Sequence, residues 1–299
     1  MLIEVSNIFG TSFKLFLKHE GVNPTGTHKD RIGKRHVVNA FLLGMKKICA
    51  ASCGNFGASL AYFARDYGLQ TEIYVPKSFE SPRVNELVEL GAKIVRFDGT
   101  YEESVLESQQ VAKEKGYYDA NPGEHNRALE YCGYSSIWRE ILQDLKQLNL
   151  GTPTHLAIPV SNGVTLAGLY FETILSSASV KFLAGSCVCN PIITSFVNKT
   201  AYRDLPQIFQ SETETNEPLI NWRSLDGSNA FNAIINSNGF AAGFEDQELE
   251  DLANFLDKNL SISSHPAGCA GLATVLKCSS MGFFGDNDLI VSLITSRRY

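Results

Sequence analysis

The sequence predicts an α/β fold of open, twisted, mostly parallel sheets with helices on both faces. Three observations carry that prediction. Short apolar runs alternate with helix-length segments from residue 28 onward, and three strand-helix units fall within roughly 75 residues. Glycine-bearing loops repeatedly follow an apolar run and open a helix. The 299 residues also exceed what one compact core usually fills, so one large or two smaller domains are expected.

In chain order, residues 29–46 place Ile32, Val37, Val38, Phe41 and Leu42 at helical spacing. Residues 48–51 form a short apolar run closed by Gly54 and Gly57, and residues 58–67 read as a helix. A strand over 71–76 ends at Pro76, a short helix over 83–90 stops at Gly91, and a strand over 93–97 precedes a helix over 101–115. The polar, turn-rich stretch 119–126 is the candidate domain junction. Beyond it come a long helix (128–148), a strand (155–160), a helix (163–175) and a strand (181–184). Residues 200–228 are polar and irregular, and the chain closes with helices over 246–259 and 267–277 and a strand over 289–294.

Composition removes several function classes. At 44% hydrophobic and 19% charged residues the chain is not of disordered type. Its net charge of -6, with no dense basic run, gives nucleic acid or an anionic membrane nothing to bind. The seven cysteines are odd in number and scattered, which suits a reducing compartment better than a disulfide framework. Cys187 and Cys189 have no second pair at zinc spacing, so no metal site is expected. The start lacks the pattern of a signal peptide, no apolar run reaches membrane-span length, and a cytoplasmic location is expected.

Three loops and one lysine stand out. In residues 23–31, Pro24 and Gly26 force a turn, and Thr25 or Thr27 can cap the helix that follows. Lys29 then sits in the first helical turn, where the dipole favours a neutral amine able to attack an aldehyde. A surface lysine after a turn is the plainer reading of a lone lysine. The loop from Ser52 to Ser59, between a strand and a helix, exposes amides at a helix start, a natural anion site, though tight packing alone also explains its glycines. In residues 158–168, Ser161, Asn162 and Thr165 with the loop amides can cradle a phosphate monoester, and the spacing is neither Walker A nor a dinucleotide fingerprint.

Taken in order, these loops resemble the tryptophan-synthase-β-like (fold type II) group of pyridoxal phosphate enzymes, and within it the threonine synthase branch. Residues 23–31 are similar to its N-P-T-G-S-F-K-D-R signature, 52–59 to its S-G-N-T-G-A-S loop, and 159–168 to P-V-G-N-G-x-x-x-A-G. Asn121, Pro122, Arg127 and Glu130 resemble N-P-x-R-x-E-G, and residues 227–233 a later G-N-P-x-x-W-x-x-A segment. Residues 264–270 resemble E-P-S-G-A-A-A, and residues 293–296 the closing L-L-T-G. The likeness spans nearly the whole chain.

That resemblance implies a two-domain, three-layer protein: a large cofactor domain of residues 1–40 and 130–299, with a small domain, 41–129, inserted in it. It implies pyridoxal 5'-phosphate as cofactor, held by Lys29 as a Schiff base, with Lys29 also the catalytic proton carrier. Asn55 would bond the cofactor's phenolate oxygen, Ser161, Asn162, Gly163, Val164 and Thr165 its phosphate, and Thr295 (or Ser296) its ring nitrogen. Ser52, Cys53, Gly54 and Phe56 would hold the substrate carboxylate. Arg127 would meet the phosphate of O-phosphohomoserine, with a surface helix-start arginine the equal alternative. A hydroxyl at the ring nitrogen makes the cofactor a weaker electron sink than a carboxylate would, which suits elimination and replacement.

The implied function is elimination or replacement at the β or γ carbon of a small amino acid, threonine-synthase-like, by a carbon-oxygen lyase working as a homodimer. Serine or threonine dehydration and cysteine- or diaminopropionate-type synthesis are alternatives within the class. A catalytically silent binding protein is the alternative outside it. His28 replaces an aromatic, as in tryptophan synthase β, His265 replaces a glutamate, and Ser161 replaces a glycine; the last two bear on reaction choice. The chain also lacks the branch's early T-P-L segment, which would open the site or leave it to a partner. A dinucleotide-dependent dehydrogenase is excluded, since no G-x-G-x-x-G opens a helix after the first strand.

Overall fold

The computed structural model describes residues 2–52, 54–207 and 212–298. The chain divides into two compact units, one running to Val22 and again from Tyr134 to Arg298, the other from Asn23 to Gly133. The first unit opens with β1 (Leu2–Glu4), α1 (Ser6–Phe9) and β2 (Lys14–His19). The second is built from α2 (Asp30–Leu42), β3 (Lys47–Ala51), α3 (Asn55–Asp66), β4 (Gln70–Pro76), α4 (Pro82–Glu89), β5 (Lys93–Phe97), α5 (Tyr101–Lys115) and β6 (Tyr118–Asp119). After α6 (Arg127–Gln147), the first unit resumes with β7 (His155–Pro159), α7 (Val164–Leu175), β8 (Lys181–Cys187) and α8 (Pro191–Val197). It ends with α9 (Gly227–Asn236), β9 (Phe240–Phe244), α10 (Asp246–Leu260), α11 (Ala270–Ser280) and β10 (Leu289–Ile294). The molecule is α/β, with mostly parallel sheets and helices on both faces.

The second unit has a four-stranded parallel sheet in the order β5-β4-β3-β6. Ile48, Cys49, Ala50 and Ala51 are fully buried, as expected of a parallel strand covered on both faces. α5 starts with a reciprocal capping box between Thr100 and Glu103 and ends at Gly116, whose φ of +67° is the left-handed stop a glycine permits. α3 begins at Asn55, earlier than the sequence pattern suggests, so Gly57 is helical. A Cβ there would lie 3.1 Å from Leu87 and 3.3 Å from Ile73, so its absence is what lets α3 pack closely on the sheet.

The polar stretch 119–126, expected as a junction, lies inside the second unit. Asn121 is fully buried; its Oδ1 accepts the Ala51 N–H at 2.8 Å and its Nδ2 donates to Ser108 Oγ and to Asp119 Oδ1, each at 2.6 Å. Asn126 Nδ2 donates to the carbonyls of Asn121 (2.7 Å) and Asp119 (3.1 Å). These polar residues are a hydrogen-bonded knot on β3, whereas a linker would leave them to water.

The first unit has a six-stranded sheet, β1-β2-β10-β7-β8-β9, antiparallel only between β1 and β2. β7 and β10 are buried at every residue. Their register pairs Ser292 with Ala157, which sets the carboxyl ends of two adjacent parallel strands side by side. Leu15, Leu17, Leu183, Leu272, Ile290 and Ile294 form the heart of its core. Trp138 is fully buried, with its indole N–H donated to Ser176 Oγ at 3.1 Å. Among the described residues no helix is long and apolar enough to cross a membrane.

Candidate active site

In the second unit, Lys29 is the N-cap of α2, one position earlier than a first-turn residue, and is half-buried. Gly26, at φ +74°, closes the preceding turn through its N–H to the Asn23 carbonyl at 2.7 Å. Neither threonine caps the helix directly. Thr27 Oγ1 accepts the Lys29 N–H at 3.2 Å, while the Thr25 N–H and hydroxyl donate to the Asp30 carboxylate at 2.8 and 2.5 Å. Ser59 on α3 donates its hydroxyl to the Lys29 carbonyl at 3.2 Å. A Cβ on Gly33 would fall 2.1 Å from Ser59 Oγ, so this close approach of α2 to α3 needs the glycine. The lysine stands on a backbone fixed from three sides.

The same packing brings Asn55, first residue of α3, into the neighbourhood of that loop. Ser52 Oγ accepts the N–H of Gly54 (3.3 Å) and of Gly57 (2.9 Å), which folds the loop after β3 over its own serine. The Gly54 amide is therefore already engaged, and the first-turn amides of Asn55 and Phe56 are the loop's donors without an intrahelical acceptor. Cys53 lies outside the described residues. Phe56 is buried, its ring centroid 5.6 Å from that of His36 in an edge contact. Arg127 begins α6, half-buried.

Arg83 is the residue that sequence reasoning missed. It follows Pro82 at the start of α4, where Ser81 Oγ accepts its N–H at 3.2 Å, and its side chain is fully buried. Its Nε and Nη2 donate to Asn55 Oδ1 at 3.1 and 2.9 Å, Nη2 also to the Thr25 carbonyl at 2.7 Å, and Nη1 to the Glu86 carboxylate. No sequence signal marks it, because Arg83 and Asn55 are 28 residues apart.

In the first unit, the loop after β7 delivers Ser161, Asn162 and Gly163 to the start of α7. Gly163, at φ +88°, is the N-cap and no side chain caps the helix. A Cβ there would meet Ala230 Cβ at 2.8 Å and the Asp226 carbonyl at 3.0 Å. The loop is braced from behind by residues that sequence reasoning also missed. Asn190 Nδ2 (3.2 Å) and Ser224 Oγ (3.1 Å) both donate to the Ser161 carbonyl, and Asn221 Nδ2 donates to Ser161 Oγ at 3.2 Å. The N–H of Leu225 goes to Asn162 Oδ1 and that of Asp226 to the Asn162 carbonyl.

The start of α7 fits an anionic phosphate monoester. Val164 and Thr165 present uncapped amides at the positive end of a helix, with hydroxyls at Ser161 and Thr165 beside a glycine that has no side chain to obstruct them. Thr295 and Ser296, both buried, follow β10, the strand next to β7. Phosphate loop and Thr295 thus leave the carboxyl ends of neighbouring parallel strands, where open α/β sheets carry ligands. The Thr295 N–H reaches the Gly268 carbonyl at 3.3 Å and the His265 N–H the Ser296 carbonyl at 3.2 Å. His265 Nδ1 accepts the Ala267 N–H at 3.2 Å, so when the ring is neutral its proton is on Nε2. Within the first unit, a phosphate cradle and a neutral hydroxyl suit the phosphate and ring nitrogen of pyridoxal phosphate; within the second, a primary amine and an amide suit its aldehyde and phenolate oxygen.

The family model described as "Pyridoxal-phosphate dependent enzyme" matches residues 2–296. The threonine synthase of Methanosarcina acetivorans is 26% identical over 293 residues, covering 94% of this chain and 69% of its own length. The serine dehydratase-like protein of Homo sapiens is 31% identical over 156 residues, 52% of this chain and 45% of its own. The solved structure of the T.th. threonine deaminase shares the fold, with a TM-score of 0.82 at 19% identity over 100% of this chain and 92% of that one.

Proposed function

The chain belongs to the pyridoxal-phosphate dependent enzyme family, and on that footing we propose that it is a threonine-synthase-like carbon-oxygen lyase acting on O-phosphohomoserine. It is a fold type II enzyme with pyridoxal 5'-phosphate as cofactor, related to threonine synthases and to serine and threonine dehydratases. The observation that carries the finer reading is coverage. The threonine synthase likeness runs over 94% of the chain, whereas the serine dehydratase-like one stops at 52%.

When bound, pyridoxal phosphate supplies the electron sink that lets bonds at the α, β and γ carbons of an amino acid break. In this reading Lys29 holds the cofactor, and its Nζ later takes and returns the proton at the substrate Cα. Asn55 Nδ2 donates to the phenolate oxygen. Ser161, Asn162, Gly163, Val164 and Thr165 hold the phosphate, and the Thr295 hydroxyl meets the ring nitrogen without donating a full charge to it. The loop of Ser52, Cys53, Gly54 and Phe56 holds the substrate carboxylate, with the first-turn amides of Asn55 and Phe56 as donors and Gly54 closing the turn onto Ser52, and Arg127 meets its distal phosphate. We keep the cytoplasm and a homodimer as part of the proposal; six free cysteines among the described residues suit a reducing compartment.

Dehydration of serine or threonine is the second reading, favoured by the 31% identity to the serine dehydratase-like protein. Incubating the holoenzyme separately with O-phosphohomoserine, serine and threonine distinguishes the two. Inorganic phosphate appearing with threonine supports the proposal. Ammonia and a 2-oxo acid from serine or threonine, with O-phosphohomoserine untouched, would replace it by the dehydratase reading. Cofactor binding without turnover of any of the three would favour a catalytically silent binding protein.

A further inference from the structure

We propose that Arg83 is a positioning residue for the cofactor, fixing Asn55 so that its amide nitrogen, and not its oxygen, is the end offered to the phenolate. This role rests on the reading that Asn55 meets that oxygen.

A guanidinium has five N–H donors and no acceptor. Two of those donors, on Nε and Nη2, converge on one atom of the Asn55 side chain at 3.1 and 2.9 Å. That atom must be the oxygen, since the flipped amide would turn its own N–H groups against them. The choice of Oδ1 over Nδ2 is therefore dictated by chemistry at this position, where shape alone would leave it open. With Oδ1 held, the polar atom of the amide left to serve the cofactor is Nδ2, which can only donate, as a phenolate requires. The positive charge behind Oδ1 also polarises the amide and strengthens the Nδ2 donor.

The rest of the setting serves the same end. The Arg83 side chain is fully buried, and a buried charge is expensive unless every donor is used. Nη2 also holds the Thr25 carbonyl, and Thr25 holds Asp30, the residue after Lys29. One guanidinium thus ties Asn55 to the loop that carries the lysine. The Gly54 backbone lies against the stem of Arg83, with a Cβ there only 3.0 Å from Arg83 Cγ. A lysine could supply the charge at this place but not the planar fork that reaches Oδ1 with two donors.

The test uses full-length Arg83→Lys, Arg83→Met, Asn55→Ala and the Arg83→Met/Asn55→Ala double variant, each reconstituted with pyridoxal phosphate. Three quantities are read: the absorbance spectrum of the lysine-bound cofactor across pH, the cofactor dissociation constant, and the melting temperature of the apoprotein. Arg83→Met should move intensity from the visible band to the near-ultraviolet form with a neutral phenol, and weaken cofactor binding about tenfold, the scale of one charge-assisted hydrogen bond. Arg83→Lys, which keeps charge and bulk, should fold as the wild type and shift the spectrum in the same direction by less. The double variant should match Asn55→Ala, because both substitutions act through one amide. A wild-type spectrum in both Arg83 variants, or effects that add in the double variant, would overturn the role. A lowered apoprotein melting temperature with an unchanged spectrum would do the same, leaving Arg83 merely structural. Wild-type protein with no visible band at all would instead remove the cofactor site on which the inference rests.

Discussion

The left-handed N-cap at Gly163 is where a single atom decides the chemistry of a loop. Alanine there must adopt φ near +88° and place Cβ 2.8 Å from Ala230. We expect Gly163→Ala to lower stability by about 1 kcal/mol or more and to weaken cofactor binding, because the loop amides turn away from the phosphate. Urea unfolding of the apoprotein and cofactor titration check the two effects separately; unaltered affinity would mean the phosphate is held elsewhere. At this scale the sequence was informative wherever a glycine sets the backbone within a local run, as at Gly26 and Gly163. It was silent on Arg83, Asn190, Asn221 and Ser224, whose partners lie 28, 29, 60 and 63 residues away.

The elements that carry the loops were legible for a related reason. α5, α6 and β10 have local signals: a capping box, a sustained helical period and an apolar run interrupted only by Ser292. β2 does not, since its buried Lys18, paired with Glu140 at 2.6 Å and Glu20 at 3.7 Å, breaks the apolar pattern with a charge. β9 is equally hidden, a five-residue strand whose Gly243 leaves out a Cβ that would fall 2.7 Å from the Val188 backbone. The stretch 119–126 misled because turn residues mark a linker and a buried knot alike. Asn121→Ala should cost about 2 kcal/mol, the scale of leaving the Ala51 N–H and its neighbours unsatisfied, and should raise KM for the amino acid by loosening the Ser52 loop. By contrast, Thr100→Ala should cost about 1 kcal/mol through the lost cap of α5 and leave KM unchanged. Thermal melts and initial rates on the two variants check this contrast. Equal KM in both would detach the knot from the loop.

At the scale of the whole molecule the fold class was readable but the strand order was not. β10, the last strand, sits between β2 and β7, an arrangement made only by contacts far apart in sequence. The same long-range packing creates a pH liability. His155, first residue of β7, is buried beneath Phe283 and Phe284, and its Nε2 has no hydrogen-bond partner among the described residues. Burial holds its pKa below the usual 6.5 even though the Asp288 carboxylate pulls the other way. The unfolded chain therefore binds a proton near pH 6.5 that the folded one refuses, so stability is full above that value and falls as pH drops below it. His19 is lowered by burial in the same sense, so His155→Phe should flatten only part of the fall. Melting temperatures of wild type and variant between about pH 7.5 and 5.5, the range that brackets histidine titration, measure it. Parallel curves would assign the fall to other groups.

In the function proposed, Lys29 is the residue on which the cofactor, the site and the chemistry all depend. Borohydride reduction of the protein loaded with pyridoxal phosphate, followed by proteolysis and mass spectrometry, reads the attachment point directly. The result predicted is one phosphopyridoxyl group per chain, on the peptide that contains Lys29 and lost in Lys29→Ala. A label on another lysine, or none above the level of unfolded protein, would contradict it.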